Sequence, residues 1–145
     1  MQVWQRHNAA LFSFSSYAAR RMKLGLAEVA ALEQIAIRGR MTPGELGQSL
    51  AMPSATITAL LDRLEYKKMI RRQPNPNDRR GLLIEMTPHA FEKAGADLMP
   101  LGTAISDILA AMSQQDRSTV EGFLSQVTAL LISHSGPQKP KSHIN

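Results

Sequence analysis

The sequence predicts a mainly α-helical chain with one small antiparallel β-hairpin, on three observations. Apolar residues recur at helical spacing along most of the 145 residues. Only residues 70–86 change to a two-residue alternation, and it is built around a turn rich in Pro and Asn. Start and stop signals separate the segments, namely Gly25, Gly39 and the Thr-Pro pairs at 42–43 and 87–88.

Leu11, Phe14, Tyr17, Ala18 and Arg21 lie at helical spacing, which predicts an amphipathic helix over residues 1–23. A second helix follows, with Leu26, Val29, Ala30, Leu32, Ile35 and Ala36 on its apolar side and Gly39 as its stop. Thr42, Pro43 and Glu45 then supply a cap, a first helical residue and the acid of a capping box, so a short helix over 43–51 is expected. Met52 and Pro53 break the chain before a helix over 54–67. There Ile57, Leu60, Leu61 and Leu64 make a buried stripe, and the other side begins with Ser54, Ala55, Thr56 and Thr58. Ile70, Leu82, Ile84 and Met86 can share one face of two strands, joined by a turn in which Asn75 and Asn77 take the bend. Thr87 and Pro88 open a long helix that Pro100 bends or divides. Ser113 with Asp116 caps a final helix whose stripe is Val120, Phe123, Leu124, Val127, Leu130 and Leu131, and residues 135–145 read as a disordered tail.

Composition excludes several classes of function. With 43% hydrophobic and 20% charged residues the balance is that of a globular chain. There is no cysteine, so disulfides, thiol nucleophiles and Cys-ligated metal are out, and a reducing cytoplasm is compatible. No apolar run approaches the roughly 20 residues that span a bilayer, and the N-terminus lacks the pattern of a secretory signal. His7, His89, His134 and His143 have no metal-ligand spacing. No phosphate loop, nucleophile elbow or carboxylate pair appears, and Glu28 with Glu33, like Glu92 with Asp97, reads as an exposed helix face. No enzyme, cofactor or metal is therefore expected.

Charge is placed unevenly. Nine bases and four acids lie between Arg38 and Arg80, while the remaining eight bases and eight acids cancel, so the whole net charge of +5 belongs to the central third. That footprint suits a polyanion, nucleic acid first and an anionic membrane second, with a merely solvated basic face as the alternative. Two helices joined by a short turn, then a two-stranded ribbon, are the layout of a winged helix-turn-helix. In it a short helix buttresses a second one whose N-terminal turn enters a major groove. Ser54, Ala55, Thr56 and Thr58 are small enough for close approach and can meet base edges or phosphate; they can equally be caps and helix surface. Arg63, Lys67, Arg71 and Arg72 lie where backbone phosphates are expected.

From Leu24 to about Glu92 the chain resembles the MarR family of bacterial transcriptional regulators. The resemblance rests on "LGLAEVAALEQIAIRGRMTPGELGQSLAMPSATITALLDRLEYKKMIRR" followed by "NDRRGLLIEMT". In that family an Asp-x-Arg pair precedes the wing's second strand, and Asp78 and Arg80 match it. Met86 replaces the usual leucine near the strand end. The resemblance implies a winged helix-turn-helix domain over 24–87, with dimerisation helices at 1–23 and within 88–134. It further implies a cytoplasmic homodimeric regulator, most simply a repressor, that binds double-stranded DNA at a pseudo-palindromic operator. Asn77, Asp78, Arg79 and Arg80 would form the wing tip, Asp78 orienting Arg80 while an arginine reaches the minor groove. Leu11, Phe12, Phe123, Leu124, Val127 and Leu131 would lie in the dimer interface. A small aromatic or phenolic effector would bind near Phe14, Tyr17 and Leu26. The alternative is a winged module for protein–protein contact. One departure stands out: Lys68 occupies a position where the family usually has glycine, so either a lysine turns left-handed or the turn is shifted.

Overall fold

The computed structural model describes residues 1–134; the expected tail at 135–145 lies outside them, as do the side chains of Arg79, Arg80 and Asp97. The chain divides into two compact units, Met1–Leu101 and Gly102–Asn145.

The first unit holds α1 (Gln2–Met22), α2 (Leu26–Arg38), β1 (Arg40–Met41), α3 (Pro43–Leu50), α4 (Ser54–Tyr66), β2 (Ile70–Asn75), β3 (Asp78–Met86) and the opening turns of α5 (Pro88–Ala111). This is the mainly helical architecture with a β-wing that the sequence predicts, plus one strand. β1 pairs antiparallel with β3, Arg40 opposite Glu85 and Met41 opposite Ile84, and the sheet order is β1-β3-β2. Two residues are too few to reveal an alternation, so β1 is visible only once β3 is in place.

Local chemistry accounts for each helix boundary. Thr42 closes the box at the start of α3: its Oγ1 accepts from the Glu45 N–H at 3.2 Å, and the Glu45 carboxylate accepts from the Thr42 N–H at 2.7 Å. Gly25 precedes α2 and donates its N–H to Glu28 Oε2 at 2.7 Å. Three helix ends use one device, a residue with positive φ followed by a backbone bond spanning six residues. Lys23 (φ 57°) is followed by Leu24 N–H to Ala19 O, Ala51 (φ 51°) by Met52 N–H to Gly47 O, and Lys68 (φ 59°) by Met69 N–H to Leu64 O. The turn after α4 is therefore not shifted; the lysine itself turns left-handed.

The core lies between the helices and the inner face of the sheet. Ile57, Leu60, Leu61 and Leu64 of α4 are buried in one cluster with Leu32 and Ile35 of α2, Leu46 of α3, Met41, Ile70, Ile84 and Met86 of the sheet, and Ala90 of α5. Each of these side chains except that of Ala90 contributes about 1.5–3 kcal/mol by leaving water. Leu82 keeps its place in the alternation, opposite Pro74, but is exposed, because the inner face of the hairpin extends past the helices there. The second unit contains the rest of α5 and α6 (Gln114–His134). Pro100 lies inside α5 without dividing it. Ser113 Oγ accepts from the Asp116 N–H at 3.1 Å and donates to its carboxylate at 2.6 Å, capping the start of α6 as expected.

Candidate nucleic-acid interface

The α4 N-terminus lacks the side-chain closure that α3 has. Its N-cap is Pro53, which makes no side-chain cap, so the first-turn N–H groups face outward without the closure that Thr42 gives α3. Ser54, Ala55, Thr56 and Thr58 are all exposed around that end, while Ile57 between them is buried. Thr58 donates its hydroxyl to Ser54 O at 3.0 Å, leaving its oxygen able to accept. Small polar side chains, open N–H donors and the positive end of a helix are together what a phosphate or a base edge requires.

The wing is β2, the two-residue turn Pro76-Asn77 and β3. Asn75 pairs with Asp78 across the turn, and Asn75 Oδ1 accepts from the Asn77 N–H at 3.0 Å, so the side chain shapes its own bend. The register shifts between Pro74 and Asn75. Gly81 faces this turn: a Cβ there would stand 3.1 Å from Asp78 Oδ2 and 3.4 Å from the Asn75 side chain. Asn77 and Asp78 are exposed at the tip. Arg79 and Arg80 belong to β3 by their backbone, and their side chains, including the expected Asp78–Arg80 contact, lie outside the described residues.

Sequence reasoning missed how the other bases are held. Arg63 Nε lies 3.5 Å from Glu28 Oε1, and Lys67 Nζ donates to Glu28 Oε2 at 2.7 Å and to Lys23 O at 3.1 Å. Glu28, expected on an exposed helix face, is only 4% exposed, because its partners come from distant sequence, Arg63 on α4 and Lys67 at its C-cap, the latter 39 residues away. Burial pushes its carboxyl upward, yet Lys67, the Gly25 N–H and Arg63 outweigh that and hold it below its ordinary range. Glu85 is the second buried acid. It lies on the outer face of β3 between Arg40 of β1 and Arg71 of β2, and accepts from both and from Gln73 Nε2 at 2.6 Å. Burial again opposes the charge, and the two guanidiniums again hold the carboxyl low. Arg72 donates Nη2 to Asp62 Oδ1 at 2.6 Å and Nη1 to Glu65 Oε2 at 2.5 Å. That pair had a sequence signal, two acids three residues apart on the exposed side of α4 with an arginine soon after.

A MarR family model matches residues 24–82, the span from the end of α1 into β3. The chain carries a MarR-family domain. Among curated relatives, the uncharacterised HTH-type transcriptional regulator YcgE of Bacillus subtilis is 26% identical over 132 residues, covering 90% of this chain and 85% of the relative. The multiple antibiotic resistance protein MarR of Salmonella typhimurium is 48% identical over 50 residues, 34% of this chain and 35% of that one. Among solved structures, a mutant of MepR from multidrug-resistant Staphylococcus aureus superposes with a TM-score of 0.74 at 15% identity, covering 90% of this chain and 95% of that one. A mutant MarR from Escherichia coli complexed with operator DNA gives 0.55 at 22% identity, covering 88% and 94%. MarR-family members are DNA-binding transcriptional regulators and not enzymes, and the features around α4 and the wing agree with that. The remaining expected residues take these places: Phe14 and Tyr17 lie on α1, half-buried and exposed, and Leu26 is exposed at the start of α2. Leu11 and Phe12 are exposed on α1, Phe123, Leu124 and Leu131 are exposed on α6, and Val127 is half-buried. Among the described residues no helix is long and apolar enough to cross a membrane.

Proposed function

We propose that this MarR-family protein is a cytoplasmic, homodimeric repressor of a pseudo-palindromic DNA operator, released by a small aromatic or phenolic effector. The observation that carries the reading is the uncapped N-terminus of α4, ringed by exposed Ser54, Ala55, Thr56 and Thr58. In the dimer two such ends enter successive major grooves, and the wings, with Asn77, Asp78, Arg79 and Arg80, reach the flanking minor grooves. Arg63 adds phosphate affinity from its exposed side, and Arg72 enters through the geometry of the wing. The mutant MarR that crystallised with operator DNA lends the fold a precedent. The exposed apolar stripe of α6 and the Leu11–Phe12 end of α1 would be covered by the second copy. The effector would bind at Phe14, Tyr17 and Leu26 and acts only by favouring one spacing of the two α4 helices over another.

Selection from a random DNA pool, followed by footprinting and addition of small phenols, tests the proposal. A two-fold-symmetric motif whose occupancy falls with a phenol is expected; a purified chain that enriches no motif overturns it. Replacing both Arg79 and Arg80 by alanine should weaken binding and reduce the slope of log K against log salt by about one to two. An unchanged slope removes the wing from the interface.

A further inference from the structure

Arg72 is half-buried, its side chain 23% exposed, at a particular point of the hairpin. It pairs with Ile84, so both side chains lie on the inner face of the sheet, and Ile84 is fully buried there. Two pairs further toward the tip, Pro74 and Leu82 are exposed on that same face. Arg72 is thus the last inner-face residue of β2 before the exposed stretch, and from Gln73 to Leu82 the wing continues beyond the buried core. At this root the guanidinium turns to α4 and spreads its two Nη atoms over Asp62 and Glu65, which stand one turn apart on that helix.

The geometry points to Arg72 as a positioning residue, a brace that fixes the direction of the wing relative to the recognition helix, and not as a contact to DNA phosphate. The inference rests on the DNA-binding reading above and deepens it. A guanidinium with both Nη atoms already on carboxylates has little left for phosphate. What the pair does well is convert a hairpin anchored at one end into an arm with a fixed aim, so that tip and α4 present their contacts together.

Two readings of Arg72 differ in the sign of one experiment. If Arg72 met phosphate, removing the acids that compete for it would tighten DNA binding. If it is a brace, Asp62→Asn combined with Glu65→Gln loosens the wing and weakens binding by about three- to tenfold, as expected for a two-acid surface network. Arg72→Met should weaken binding by a similar factor while leaving the salt slope as in the wild type, whereas loss of a phosphate contact lowers the slope by about 0.9. Combining the acid and arginine changes should add nothing further. Amide hydrogen exchange on the free protein gives a readout that needs no DNA. In both variants exchange in residues 73–82 should accelerate while α2 and α4 keep their protection. Unchanged exchange at the wing, tighter binding on removal of the acids, or a lowered slope in Arg72→Met each overturns the brace. Failure of the wild type to select any DNA overturns the functional reading instead, and the exchange result then still decides the brace. Should Arg72→Met not fold, the Asp62→Asn/Glu65→Gln protein, altered only at solvent-facing acids, gives both the exchange result and the sign of the affinity change.

Discussion

Two helices that each carry an apolar stripe end in opposite situations. In the first unit α4 places Ile57, Leu60, Leu61 and Leu64 in a cluster drawn from every neighbouring element, and all four are buried. In the second unit α6 has no buried residue among its 21, and Leu124, Leu130 and Ile132 are exposed, as are Ile105 and Ile108 at the end of α5. Helical periodicity reports that a face is apolar, but it does not report what covers it. The winged unit closes a core from its own chain. The α6 stripe leaves apolar surface in water, a standing drive toward association, and a second copy is the cover proposed above.

The largest expected effect breaks this comparison directly. Leu60→Ala, at a fully buried site, should cost about 3 kcal/mol and shift the urea midpoint accordingly. Leu124→Glu, at a site 49% exposed, should leave the winged unit folded yet abolish self-association in sedimentation equilibrium. A variant that sediments like the parent would remove the α6 stripe from the proposed interface.

A smaller effect tests how the first unit holds itself together with polar groups. Glu28→Ala takes away the carboxylate that Lys67, Arg63 and the Gly25 N–H share. The expected loss at neutral pH is about 2–3 kcal/mol, less than for a fully enclosed pair because both bases keep contact with water. The sign with pH follows from the depressed carboxyl. Its contribution is complete above the ordinary value of 4.5 and is lost as pH falls below that through the lower folded value, so the gap between parent and variant should narrow in acid. Denaturant titrations at neutral pH and at successively lower pH check this, and a constant gap would mean that Glu28 acts by packing alone.

Much of the winged unit was legible in the sequence because its signals are local. The Thr42–Glu45 box, the Ile57–Leu64 stripe and the Asn75–Asn77 bend each depend on residues within one or two turns of each other. What was hidden depends on register. Glu28 looks like a solvated helix acid until α4 brings Lys67 against it, and Glu85 becomes the centre of an Arg40–Arg71 pair only when β1 and β2 flank β3. For the interface, the exposed α4 N-terminus could be read from small polar residues opposite the stripe. The bases on α4 and β2 were harder, since composition gives their charge but not the acids that already hold them.

The smallest effect concerns the joint between α4 and the wing. Lys68 has φ 59° and its backbone carries two bonds of that joint, its N–H donating to Glu65 O at 2.8 Å and its carbonyl accepting from the Thr87 hydroxyl at 2.6 Å. Its side chain is exposed, so the left-handed backbone carries the cost of a Cβ with no buried contact in return, about 1 kcal/mol. Lys68→Gly removes that strain but gives the unfolded chain more freedom, which offsets part of the gain. A net stabilisation of about 0.5 kcal/mol is expected, seen as a higher urea midpoint with an unchanged m-value. Because the bonds of the joint are backbone or Thr87 bonds, the glycine should keep the wing where it is, and hydrogen exchange in residues 73–82 should match the parent. A loss of stability would show instead that the lysine side chain contributes more than its conformation costs. The self-sufficiency of the winged unit would then extend to the joint where the resemblance leads one to expect a glycine.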